Sequence, residues 1–150
     1  MYLQPKIDFA PDEVLDYLRK SRADDPDLSV EEVLAKHETI LDEWAEKNLG
    51  AVVPAENKFR EVVSGETIAD RPEMQRLLRA IESPRYKAVL TVEVQRLSRG
   101  DLEDAGKLIR ILRYTNTLVI TPVKIYDLRD EYDRDAKNLQ GSDIVRVPNG

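Results

Sequence analysis

Along the chain the apolar residues switch between alternation and helical spacing, and each switch marks the boundary of a predicted element. Residues 1–12 carry two prolines and scattered charges and read as an irregular lead-in. Val14-Leu15-Asp16-Tyr17-Leu18-Arg19-Lys20-Ser21 follows as a first strand, and a regular period of two would place Leu15, Tyr17, Arg19 and Ser21 on one face. The next stretch, Arg22-Ala23-Asp24-Asp25-Pro26-Asp27-Leu28, is polar and turn-prone. Ser29-Val30-Glu31-Glu32 is a capping box, and it opens a helix with Val33, Leu34, Ile40, Leu41 and Trp44 at helical spacing up to Asn48-Leu49-Gly50. Ala51-Val52-Val53 and Glu61-Val62-Val63 read as short strand material, with a turn at Ser64-Gly65.

A second helix starts at Asp70-Arg71-Pro72-Glu73, with proline in its first turn and Met74, Leu77, Leu78 and Ile81 as its buried stripe, and ends near Ser83-Pro84. Ala88-Val89-Leu90-Thr91-Val92, an apolar run between helices, has the signature of a buried parallel strand. Residues 101–114 form a third helix with Leu102, Ala105, Leu108, Ile109 and Leu112 inward; Leu118-Val119-Ile120-Thr121 is the next strand, and Val123-Lys124-Ile125-Tyr126 adds a short edge strand. Strands alternating with helices predict a three-layer α/β fold, a mostly parallel central sheet of four to five strands flanked by helices. In such a fold, sites gather beyond the carboxyl ends of the strands.

Composition narrows the class. A chain of 150 residues with 41% hydrophobic content supplies one core of ordinary size. No apolar run approaches the roughly 18 residues of a membrane span, and the N-terminus lacks a signal-peptide layout, so a soluble cytoplasmic protein is expected. The absence of cysteine excludes disulfides, thiolate zinc sites and cysteine nucleophiles. The single histidine, His37, falls in an acidic helical pattern and is expected at the surface. The net charge of -6 is unevenly spread: residues 70–113 sum to +3 and the remainder to -9. That asymmetry suits one basic cleft facing a phosphate backbone, although salt-bridged helices would give the same count.

The candidate chemistry lies in two segments. Tyr17-Leu18-Arg19-Lys20-Ser21 brings an arginine and a serine to the end of a strand, and Gln95-Arg96-Leu97-Ser98-Arg99-Gly100 adds two arginines about 75 residues later. A hydroxyl attacking phosphorus builds negative charge that guanidinium forks can hold. The three aspartates of residues 24–27 match no calcium-loop spacing and read as a solvated turn.

Taken together, Tyr17-x-Arg19-x-Ser21, the turn Ser64-Gly65 followed by Arg71-Pro72 and the Met74-Gln75-x-x-Leu78 helix, and Arg96-Leu97-Ser98-Arg99 after an apolar strand resemble the catalytic domain of serine recombinases. Order and approximate spacing agree over residues 13–135, and three blocks in register are far more specific than one. The phrase from Val63 to Gln75 is most similar to the large serine recombinases of phages and conjugative transposons.

That resemblance implies a resolvase-like domain acting on double-stranded DNA, as a dimer to tetramer in the full-length protein, with no metal or other cofactor. It makes Ser21 the nucleophile that forms a 5′-phosphoserine link, Arg19, Arg71, Arg96 and Arg99 the catalytic arginines, and Tyr17, Gln95, Ser64 and Gly65 supporting residues. General acid and base stay unassigned. Many members have aspartate where this chain has Gln95, so a neutral amide stands where a carboxylate would orient an arginine. Residues 131–136 look like the start of the family's long dimerisation helix, but residues 136–150 lack its apolar repeat. The chain therefore reads as an isolated catalytic domain, expected to bind DNA weakly and not to complete recombination alone. Two other readings stay open: a non-enzymatic interaction module of the same fold, and an α/β domain binding a phosphorylated small molecule at Arg19, Arg96 and Arg99.

Overall fold

The computed structural model describes residues 10–21, 24–62, 71–97 and 102–128. Ser64, Gly65 and Arg99 lie outside the described residues, as do most of the lead-in, the 136–150 tail and the side chain of Leu102.

Strand β1 (Val14–Arg19) runs through the middle of a five-stranded sheet. It pairs in parallel with β2 (Lys58–Glu61) on one side and β3 (Ala88–Leu90) on the other. β4 (Leu118–Ile120) joins β3 in parallel, and β5 (Ile125–Tyr126) closes that edge antiparallel, giving the order β2-β1-β3-β4-β5. All six residues of β1 are buried, as both faces of a central strand in a layered fold must be.

The pleat divides β1 between two cores. Leu15 and Tyr17 pack with Met74 and Leu77 of helix α2 (Pro72–Ala80) and Leu108 and Leu112 of helix α3 (Leu102–Tyr114). Val14 and Leu18 pack on the opposite face against Leu34, Leu41 and Ala45 of helix α1 (Val30–Leu49). This is the expected three-layer architecture, and each fully buried large apolar side chain contributes about 1.5–3 kcal/mol to it.

Local chemistry sets the ends of α1. The Ser29 side chain accepts from the Glu32 amide at 3.1 Å while the Glu32 carboxylate accepts from the Ser29 amide at 3.0 Å. Gly50 ends the helix at φ 88°, a left-handed conformation that costs other residues more.

Three expectations are corrected. Ala51–Val53 is not a strand, and β2 is Lys58–Glu61 instead, sharing only Glu61 with the expected Glu61–Val63 segment. An edge strand needs one buried face only, so its alternation of Phe59 and Glu61 inward with Arg60 outward was masked by charge, while Val52 and Val62 stay exposed. The first strand ends at Arg19 rather than Ser21, because the ladder to β2 runs out at the pair Arg19–Glu61. His37 is buried: α1 presents 34, 37, 41 and 45 to the sheet, and the histidine falls on that stripe while Ile40 faces outward.

Candidate functional site

The carboxyl ends of β1, β2 and β3 converge on one cluster. Arg19 is the last residue of β1, and Ser21 lies two residues beyond it. Ser21 is tied to Asp24 twice, the Asp24 amide donating to the Ser21 carbonyl at 3.1 Å and the Ser21 amide to Asp24 Oδ2 at 2.8 Å. Arg71 stands at the residue just before the first turn of α2, and Arg96 ends a single 3-10 turn, Val94–Arg96, just past β3.

Main-chain carbonyls bind these arginines together. Such a turn leaves carbonyls without intrahelical partners, and buried ones need donors. Arg19 Nη2 donates to the Gln95 carbonyl at 3.0 Å and Arg19 Nε to the Arg96 carbonyl at 2.9 Å, while Arg71 Nη1 donates to the Leu97 carbonyl at 2.8 Å. Three consecutive carbonyls thus receive guanidinium protons from two other elements. Arg96 Nη1 donates in return to the Arg19 carbonyl at 3.3 Å. Arg19, Arg71 and Arg96 are 7%, 1% and 4% exposed, so their charge is concentrated around the 95–97 carbonyls with little water to screen it.

Carboxylates compensate that charge. Arg96 forms a fork with Asp24 (Nη1–Oδ2 2.5 Å, Nη2–Oδ1 3.1 Å) and holds Glu93 Oε1 through Nε at 3.0 Å and Nη2 at 2.6 Å. Burial works against the Arg96 charge, but the bonds to Asp24 and Glu93 outweigh it and raise the pKa of Arg96. Burial likewise opposes ionisation of Asp24, yet the Arg96 and Ser21 hydrogen bonds and the Arg96 charge hold its carboxyl below the usual value. His37 Nε2 lies 3.6 Å from Asp24 Oδ1, and burial, with the Arg96 charge, pushes the imidazole towards its neutral form.

A second carboxylate organises the opposite side of the site. Glu61, 2% exposed at the end of β2, accepts the Tyr17 hydroxyl at 2.9 Å and the backbone amides of Glu73 and Met74 at 3.1 and 2.9 Å. It therefore caps α2 in place of Arg71, whose side chain makes no cap, and sets an anion at the positive helix end beside that arginine. Burial and the Glu61 charge push the Tyr17 hydroxyl pKa strongly upward, so Tyr17 is a fixed donor.

Of the residues expected from sequence, Tyr17, Arg19, Ser21, Arg71, Gln95 and Arg96 come together here. Gln95 does so through its carbonyl, its side chain being exposed. Four residues went unread: Asp24, Glu61, Glu93 and His37. Gln95, a neutral amide, left Arg96 in need of a carboxylate but did not say which one, since Asp24 meets it from 72 residues away. Asp24, expected in a solvated turn, is instead a half-buried partner of Arg96.

Among the described residues no helix is long and apolar enough to cross a membrane. The family profile described as Resolvase, N terminal domain, matches residues 14–142. Among solved structures, the N-terminal catalytic domain of TP901-1 integrase is similar at a TM-score of 0.58 and 23% identity, covering 73% of this chain and 77% of that one. The C-terminal catalytic domain of ISC1926 TnpA, an IS607-like serine recombinase, is similar at a TM-score of 0.54 and 18% identity, covering 87% of this chain and 77% of that one. At these identities the likeness is one of fold.

Proposed function

Because the chain belongs to the resolvase N-terminal domain family, through a match over residues 14–142, we propose that Ser21 cuts and rejoins double-stranded DNA by direct attack on phosphorus. The Ser21 Oγ–P bond forms as the P–O3′ bond breaks, leaving a 5′-phosphoserine link and a 3′ hydroxyl. The serine proton ends, in net terms, on that 3′ oxygen. The phosphodiester is conserved in the covalent link, so rejoining is the same reaction reversed and needs no external energy source.

One observation carries this reading: the Ser21 amide and the Arg96 guanidinium already grip a single oxyanion, the Asp24 carboxylate, at 2.8 and 2.5 Å. An anion-binding position that adjoins the serine is what a phosphate under attack requires. Arg19 and Arg71 add buried positive charge behind it, a role that guanidinium groups can fill without a metal ion. Arg99, Ser64 and Gly65 belong to the same proposal on the resemblance alone.

Each cut strand occupies one serine, so exchange between two duplexes engages four copies, and the active assembly is a homo-oligomer built from dimers. With an overall charge of -6, these 150 residues alone should bind duplex DNA weakly and should not complete an exchange.

The experiment is end analysis of trapped DNA. A nicked duplex of randomised central sequence is incubated with the protein and the adduct is treated with a polymerase. Protein attached at the 5′ side with an extendable 3′ hydroxyl is expected; protein on a 3′ phosphate would overturn the proposal.

A further inference from the structure

All three guanidinium nitrogens of Arg96 are engaged: Nε with Glu93, Nη1 with the Arg19 carbonyl and Asp24, and Nη2 with Asp24 and Glu93. A phosphate can take this fork in its usual two-pronged geometry only by replacing a carboxylate. The two candidates differ. Glu93 is half exposed and its bonds are to Arg96. Asp24 has its side chain 13% exposed and joins the Arg96 fork to the amide of Ser21, so it occupies the position that an attacked phosphate would need.

From this geometry we infer that Asp24 is an internal competitor of the DNA phosphate, an autoinhibitory contact that DNA must displace before Ser21 can react. The inference rests on the reading of Ser21 and Arg96 as the phosphate-facing pair. A phosphodiester and a carboxylate both carry one negative charge, so the exchange leaves the charge balance at Arg96 unchanged. The displaced carboxylate stays within reach of His37, whose Nε2 is already 3.6 Å away. The contact keeps the Arg96 charge paired and the side chain positioned in the absence of DNA, at the cost of affinity for it. An unpaired buried guanidinium would be far more costly than a paired one.

The test is a titration of the full chain with inorganic phosphate, followed by NMR at the Ser21 amide and the Arg96 Nε–H, for the wild type and for Asp24→Asn and Asp24→Ala. Loss of the internal anion is expected to tighten phosphate binding at least tenfold in a folded variant, with both resonances moving together. Unchanged or weaker binding in the folded variants would overturn the inference, as would shifts confined to other residues. The readout does not depend on the serine hydroxyl. A failure here therefore leaves the nucleophile assignment standing, whereas a DNA adduct formed without Ser21 would sink that assignment and leave the phosphate result intact.

Discussion

Arg19 and Arg96 hold each other by their main chains: Arg19 Nε donates to the Arg96 carbonyl at 2.9 Å, and Arg96 Nη1 donates to the Arg19 carbonyl at 3.3 Å. The bonds cross 77 residues of sequence and fix the turn after β3 to the end of β1. Each guanidinium is therefore part of the scaffold as well as part of the charge it presents.

Arg19→Lys should consequently fail on both counts. One ammonium cannot reach the Gln95 and Arg96 carbonyls in the planar geometry of the fork, and a buried carbonyl left without a donor costs about 1–3 kcal/mol. The urea midpoint is expected to fall accordingly, and covalent DNA capture to drop by roughly 100-fold or more. Capture at the wild-type rate would show that Arg19 acts only in folding.

Tyr17 and Glu61 form a second coupled pair. Tyr17→Phe removes a donor to a buried carboxylate and is expected to destabilise by about 1.5–3 kcal/mol. Glu61→Gln should cost at least as much, since an amide has one oxygen to serve the hydroxyl and the two α2 amides now shared by two. A double-mutant cycle by chemical denaturation should return a coupling above about 0.5 kcal/mol. Strict additivity would mean that the hydroxyl and the helix cap are independent.

The pH dependence of stability should report Asp16. This aspartate is fully buried on β1 beside Lys58 of β2, and neither of its carboxyl oxygens has a hydrogen-bond partner among the described residues. Burial, with the charges of Asp42 and Glu38 outweighed only in part by Lys58 and Arg60, pushes its pKa up to about 7 from 3.8. A folded pKa above the unfolded one means that the contribution is fully present below about pH 4 and is lost as pH rises through about 7. Asp16→Asn should match the wild type near pH 4 and exceed it in unfolding free energy at pH 8, by an amount on the order of a few kcal/mol that also reads as a higher melting temperature. Equal pH profiles would show that Asp16 is not the titrating group.

Much of this organisation was legible in the residues. Alternation and helical spacing gave the central strand, the three helices and the buried stripe Met74, Leu77, Leu78 and Ile81, because burying apolar surface leaves few alternatives. The Ser29–Glu32 box and Gly50 marked both ends of α1. Apolar content failed at β2, whose charged edge carries Glu61, and on α1, where helical geometry rather than polarity decides that His37 faces inward. The arginines could be found because their types and spacing carry a motif. Their partners could not, since Asp24 and Glu61 reach the site only through the fold, from a turn and from an edge strand that pattern alone assigned elsewhere.

Whether Ser21 carries the DNA is read most directly by denaturing-gel capture of a nicked duplex of randomised central sequence, with peptide mass spectrometry of the adduct. The wild-type protein should give an adduct whose nucleotide is attached at Ser21, and Ser21→Ala, folded by circular dichroism, should give none. An adduct that persists in Ser21→Ala, or one attached at another residue of the wild type, would contradict the account.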